Sequence, residues 1–223
     1  MSICLMLHGI GPAPERVEPD ERPYWISEST LAFVISEMRT QNVRLTLDDG
    51  NDSDARIVLP KLVEAGLTAV FFIPSDRIGT PGYVTEHDIL ELHQSGMEIA
   101  SHGSAHLNWL KAGDAEIAND VMRSIERLTG IIKAPVRSVA IPYGYCDRRV
   151  LAVLRQIGIG RVYSSFRGPY ADNAWLVRRD CITADMGSQE IRAIITRKPD
   201  AAEAALTFLR IWRHTGNAAL WAA

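Results

Sequence analysis

The sequence has few cysteines, no long apolar run and no concentration of charge of one sign, and each shortage closes off a class of protein. Its three cysteines, Cys4, Cys146 and Cys181, are odd in number and lack C-x-x-C spacing, which argues against a disulfide framework and against a cysteine-based zinc site. They suit a reducing compartment. No stretch approaches the ~18 apolar residues of a membrane-spanning helix. Met1 to Ile10 has no basic n-region, and His8 interrupts its short apolar run, so it does not read as a signal peptide and the expected location is the cytoplasm. Net charge is -3 with Lys and Arg scattered, so there is no electrostatic footprint for nucleic acid. Internal repeats, low-complexity segments and linkers are also missing. What is there is a chain of 223 residues, 47% hydrophobic, long enough for one well-buried core, and a single domain over residues 1–223 is expected.

Apolar periodicity alternates between the two regular types along the chain. Ile3 to Leu7 is a buried-strand pattern closed by His8-Gly9, and Gly11 to Pro23, rich in Pro and charge, is a loop. Ser27 is placed to cap a helix from about Glu28 to Thr40, with Leu31, Phe33, Val34 and Met38 inward. A strand ends at Leu47, a helix from Ser53 to Ala65 stops at Gly66, and Thr68 to Ile73 is a β-branched and aromatic strand. Thr85 and Asp88 open another helix, Met97 to Ser101 is the next strand, and Asp114 to Thr129 is an amphipathic helix ending at Gly130. Val136 to Ile141, Arg161 to Ser164 and Trp175 to Arg179 read as strands; Asp147 caps a helix, and Ser188 to Thr196 and Asp200 to Trp212 read as helices. Strands alternating with helices favour a parallel sheet or barrel.

The chemistry-bearing residues fall at the carboxyl ends of these strands, where α/β folds collect their functional groups. Leu45-Thr46-Leu47-Asp48-Asp49-Gly50 ends a strand in two adjacent carboxylates. Successive strand side chains point to opposite faces, so Asp48 and Asp49 cannot do the same job. By themselves they are equally a solvated acidic turn. His102 and His106, in Ser101-His102-Gly103-Ser104-Ala105-His106, are four apart, and a helical turn from Ser104 would bring both imidazoles to one face. Two histidines and a carboxylate make a facial metal triad, although surface histidines are the plain alternative. His8, Tyr143 and Arg178 also sit near strand ends, with plain readings as a core histidine, a turn aromatic and a surface charge. His214 is best explained as a helix-end charge.

In this order and at these separations, LTLDDG, SHGSAH and IPYG resemble the polysaccharide deacetylases of carbohydrate esterase family 4, the NodB homology domain. The resemblance runs from about residue 3 to residue 180. It implies an α/β fold, a distorted (β/α)7-type barrel, NodB-like. The first motif places the general base at Asp48 and a metal ligand at Asp49; the second places the other ligands at His102 and His106. The third, Ala140-Ile141-Pro142-Tyr143-Gly144, lacks the usual arginine, which is similar to the permuted branch that deacetylates poly-N-acetylglucosamine. In that branch the histidine of the general acid comes first, so Leu7-His8-Gly9 makes His8 the acid, with Gly9 where an acidic residue is usual. Trp175-Leu176-Val177-Arg178 resembles that branch's Leu-Pro-Arg element, so Arg178 supplies the missing charge, with Arg179 as its rival.

The resemblance therefore implies a hydrolase that removes N-acetyl groups from an amino sugar in a polysaccharide or glycan intermediate. Its cofactor would be a divalent metal, zinc; Tyr143 would offer a backbone N–H to the oxyanion, and Trp109, Tyr143, Tyr145 and Trp175 would wall the pocket. Two alternatives remain open at this stage. One is an amidohydrolase of the same fold acting on a small cyclic or linear amide, and the other is a weakly active glycan-binding domain.

Overall fold

The computed structural model describes residues 1–144 and 146–197. Its elements are β1 (Ile3–Leu7), β2 (Gly9–Ile10), β3 (Trp25–Ile26), α1 (Glu28–Met38), β4 (Val43–Leu47), α2 (Leu59–Ala65), β5 (Val70–Ile73), α3 (Glu86–Gln94), β6 (Glu98–Ser101), α4 (Asp114–Ile132), β7 (Ser138–Ala140), α5 (Arg148–Gln156), β8 (Arg161–Tyr163), β9 (Leu176–Val177), β10 (Asp180–Cys181) and α6 (Ser188–Ile195). Eight strands form one sheet in the order β10-β1-β4-β5-β6-β7-β8-β9, every neighbouring pair parallel. β9 and β10 are two ends of one short run. Leu176 to Val177 pairs with β8 and Asp180 to Cys181 pairs with β1, so this run joins the two edges and curls the sheet into a distorted barrel. The expected strand Trp175 to Arg179 is thus split and shifted, because it must leave one neighbour to reach the other.

Parallel strands covered on both faces are apolar throughout, and the pleat divides their side chains between two environments. Leu5, Leu7, Leu45, Leu47, Phe71, Ile73 and Ile99 pack outward with helix residues such as Leu31, Val34, Leu62 and Leu92. Cys4, Val70, Phe72, Ala100, Ala140, Tyr163 and Val177 form a second cluster, the barrel interior. The inward set is two residues apart along each strand, as the side-chain period requires. Carried on to the strand ends, the same parity selects His8, Asp48, His102, Arg179 and Cys181.

Local chemistry explains the helix boundaries. The Ser27 hydroxyl accepts from Thr30 N–H at the start of α1, Thr85 and Asp88 form the expected capping box, and Asp147 accepts from Val150 N–H. Two expectations are corrected. The stretch from Ser53 does not enter a regular helix: Asp54–Val58 is a π-type turn in which Leu59 N–H bonds Asp54 C=O, before α2 begins. Pro60 follows, with no N–H to continue a four-residue ladder. α4 runs past Gly130 to Ile132 and ends at Lys133 in the left-handed conformation. The expected helix Asp200 to Trp212 and His214 lie outside the described residues. Among the described residues no helix is long and apolar enough to cross a membrane.

Asp54 in the π-type turn is fully buried, and neither carboxyl oxygen is hydrogen-bonded. Burial, reinforced by Asp49 and Asp48, raises its pKa well above the ordinary 3.8. Below that ordinary value the acid is neutral in both folded and unfolded chains. As pH rises past it only the unfolded chain ionises, so stability is lost until the folded pKa is passed. Chemical denaturation at pH 5 and pH 8 should therefore show Asp54→Asn gaining on wild type at the higher pH.

Candidate active site

The site lies at the carboxyl ends of β1, β4, β6 and the β9–β10 run. Asp48 continues the inward parity of Arg44 and Thr46 and is 2% exposed. Its carboxylate accepts two parallel bonds from Arg179, Nη1 to Oδ1 at 2.6 Å and Nη2 to Oδ2 at 2.9 Å. Arg179 is itself buried and held by Nε donating to Ser164 C=O at 3.1 Å and Nη1 to the Thr46 hydroxyl at 3.2 Å. Its guanidinium lies over Phe72 at 5.3 Å. Burial would push the Asp48 carboxyl up, but the Arg179 charge and bonds, with His102 nearby, hold it below the ordinary carboxylate value. Asp48 is therefore an ionised carboxylate in a dry setting.

Asp49 departs from the strand. Its φ of 78° turns the side chain to the rim, where Oδ1 lies 3.3 Å from His106 Nε2 and 4.0 Å from His102 Nε2. Arg77, from the turn after β5, donates to the same oxygen at 3.0 Å. His102 continues the inward parity of β6, and its Nδ1 lies 3.0 Å from Ala140 C=O. Nδ1 donates to that carbonyl, which leaves Nε2 with its lone pair toward the carboxylates. Asp49, His102 and His106 thus present three donor atoms within 4.8 Å of one another. Burial opposes ionisation of Asp49, yet His8, His106, His102 and Arg77 outweigh it and bring its pKa to about 2. Burial together with His102 takes His106 down to about 3. One carboxylate and two neutral imidazoles are a donor set that fits a divalent transition ion such as zinc.

The loop between the two histidines owes its shape to a residue that the sequence reading did not single out. It is not the helical turn expected from Ser104; His106 reaches Asp49 with a left-handed backbone, φ 54°. Asp120, buried on α4, accepts from Ser104 N–H at 3.0 Å, the Ser104 hydroxyl at 2.7 Å, Ala105 N–H at 2.9 Å and Trp109 Nε1 at 3.0 Å. A Cβ at Gly103, φ 72°, would stand 2.3 Å from Asp120 Oδ2, so the loop needs glycine there. The only sequence signal was an acidic residue on the apolar side of α4.

The polysaccharide deacetylase family matches residues 36–162, more than half of the chain and the part that carries both carboxylates and both histidines. The chain belongs to the polysaccharide deacetylase family. The family implies an acetylated glycan as substrate and deacetylation as its chemistry. A search of curated proteins returns no match. Among solved structures, the deacetylase PplD of Streptococcus pyogenes, in complex with acetate, superposes with a TM-score of 0.77 at 15% identity over 88% of this chain and 98% of its own. IcaB from Ammonifex degensii gives 0.71 at 20% identity over 87% and 97%. A de-N-acetylase from Aggregatibacter actinomycetemcomitans gives 0.72 at 19% over 86% and 99%. These likenesses establish the NodB-like fold.

In this deacetylase the remaining expected residues fall in different places. His8 lies within electrostatic reach of both Asp48 and Asp49, and its ring lies 4.9 Å from that of Tyr24 with the planes tilted by 44°. Tyr143 is exposed, with its ring 4.6 Å from His106. Arg178 is corrected: its guanidinium donates to the carbonyls of Pro169 and Arg167, while Arg179 carries the charge on Asp48. One residue of register decides this, because Arg178 has the outward parity. Trp109 and Trp175 are corrected as pocket walls. The first is buried on Asp120, and the second is buried with Nε1 on Ile159 C=O at 2.7 Å. Tyr145 lies outside the described residues.

Removing one partner of a buried ion pair costs about 3–5 kcal/mol. Arg179→Ala should lose stability on that scale in urea unfolding together with nearly all activity, whereas Arg178→Ala should keep Asp48 paired and retain most of its turnover.

Proposed function

We propose that the chain removes the N-acetyl group from an amino sugar of a polysaccharide or glycan intermediate, with Asp49, His102 and His106 holding a divalent ion, zinc by donor type. The observation that carries this reading is the convergence of that donor set on a buried, arginine-clamped carboxylate, Asp48, at one mouth of the barrel. A bound ion would supply Lewis acidity, polarising the acetyl carbonyl and acidifying water.

The chain's own residues do the rest. Asp48 accepts the proton of the attacking water. The charge of Arg179 keeps it in the ionised form a base needs. Tyr143, which has a left-handed backbone, φ 58°, offers its N–H to the developing oxyanion. His8, from the end of β1, gives a proton to the departing nitrogen, since amine expulsion is slow without one. The exposed rings of Tyr143 and Tyr24 suit the apolar faces of a sugar.

Metal content and acetate release from N-acetylglucosamine oligomers, measured on wild type and two variants, test this. Wild type should carry about one equivalent of metal per chain, as a three-ligand hydrolytic site does. His102→Ala should lose both metal and acetate release. Asp48→Asn should keep the metal and lose at least ~100-fold in turnover, the scale of a missing general base. Metal without acetate release would redirect the reading to another amide substrate, and absence of metal even after zinc is added would overturn it.

A further inference from the structure

A histidine that donates a proton must be held in one orientation and one tautomer, and the group bonded to the opposite ring nitrogen does the holding. In most such sites that group is a carboxylate or a backbone carbonyl. Around His8 the next residue cannot supply it. Gly9 has no side chain, and a Cβ there would lie 2.1 Å from the Trp25 ring, because Trp25 is its partner in the β2–β3 ladder. The indole fills the space that a side chain at position 9 would need.

What does face His8 is sulfur. Cys181 sits on β10, whose Cα partner on β1 is Met6, so the inward parity that aims His8 also aims Cys181 toward it. Sγ lies 4.0 Å from His8 Nδ1 and 3.8 Å from the carbonyl of Ile182, both within reach of a hydrogen bond through sulfur. Burial, with Asp48 adding to it, pushes the thiol up to about 12. The group therefore keeps its proton and has both a donor and an acceptor to offer. The Tyr24 ring lies 4.9 Å from the imidazole.

We propose that Cys181 is the positioning residue of His8: its sulfur accepts the Nδ1–H, its own S–H is donated to the Ile182 carbonyl, and Nε2 is left as the nitrogen that carries the mobile proton. The device is uncharged. It sets the tautomer and aim of the imidazole through a thiol in place of a carboxylate. It also gives a partly buried cysteine a role that neither metal binding nor disulfide formation requires.

This inference rests on His8 being the proton donor, and the experiment separates the two. Ring-nitrogen NMR of the full chain, with the His8 signals assigned by their loss in His8→Gln, reads the tautomer of neutral His8 whether or not the protein turns over. Wild type and Cys181→Ser should show the Nδ1–H form, and Cys181→Ala should lose that preference. Acetate release from N-acetylglucosamine oligomers should fall about tenfold in kcat with KM unchanged in Cys181→Ala, the size of effect typical when the partner that orients a functional histidine is lost. Cys181→Ser should restore most of it. An Nε2–H form in wild type, or an unchanged tautomer and kcat in Cys181→Ala, would overturn the proposal. Should Cys181→Ala fail to fold, the wild-type tautomer still decides. Full activity in His8→Gln would instead overturn the role of His8 as proton donor, whatever the tautomer.

Discussion

Two charges buried inside a curled sheet, Asp48 and Arg179, are the interaction around which the site is built. Burying either charge alone at that depth would cost several kcal/mol. Together they pair in two parallel bonds, with Thr46 and Ser164 accepting from two further donors of the guanidinium. The pair also does a topological task. Asp48 closes β4 and Arg179 lies in the run that passes from β8 to β1, so the bond ties the seam of the barrel to its wall.

The metal-type donor set is assembled in the opposite way, by leaving regular structure. Asp49, His106 and Tyr143 are three of the four non-glycine residues with positive φ among the described residues. Such conformations persist only where surroundings over-determine them. Here those surroundings are identifiable: Arg77 on Asp49, and Asp120 with four donors beneath the His102–His106 loop. A buried carboxylate on the strand parity and rim donor groups off it therefore stand a few ångströms apart without competing for one position. His102 belongs to both sets, inward by parity and facing both carboxylates at 3.8 and 4.0 Å.

The sequence carried a good deal of this in local signals. Alternating strand and helix patterns, the caps at Ser27, Thr85 and Asp147, and the DDG and HGSAH motifs are all short-range features, and the structure keeps each of them near its expected place. Where it departs, the cause is seldom local. Gly130 looks like a helix stop, but α4 is held on by packing through Ile132. Trp109 and Trp175 look like sugar platforms because an aromatic near a motif carries no mark of burial. Asp120 looks like any acidic residue on a helix until the loop above it is seen.

What the sequence by itself determined is the identity of the groups at the strand ends, because strand limits follow from short-range pattern and turn chemistry. Which groups meet was decided only by the tertiary structure. The choice of Arg179 over Arg178 rests on a single-residue parity relative to Val177, and that parity has meaning only once the run has been paired with β8 on one side and β1 on the other. The same closure brings Cys181 to His8 across 173 positions of chain. Contacts of that span depend on how the sheet curls, a property of all its strands together and of no one segment.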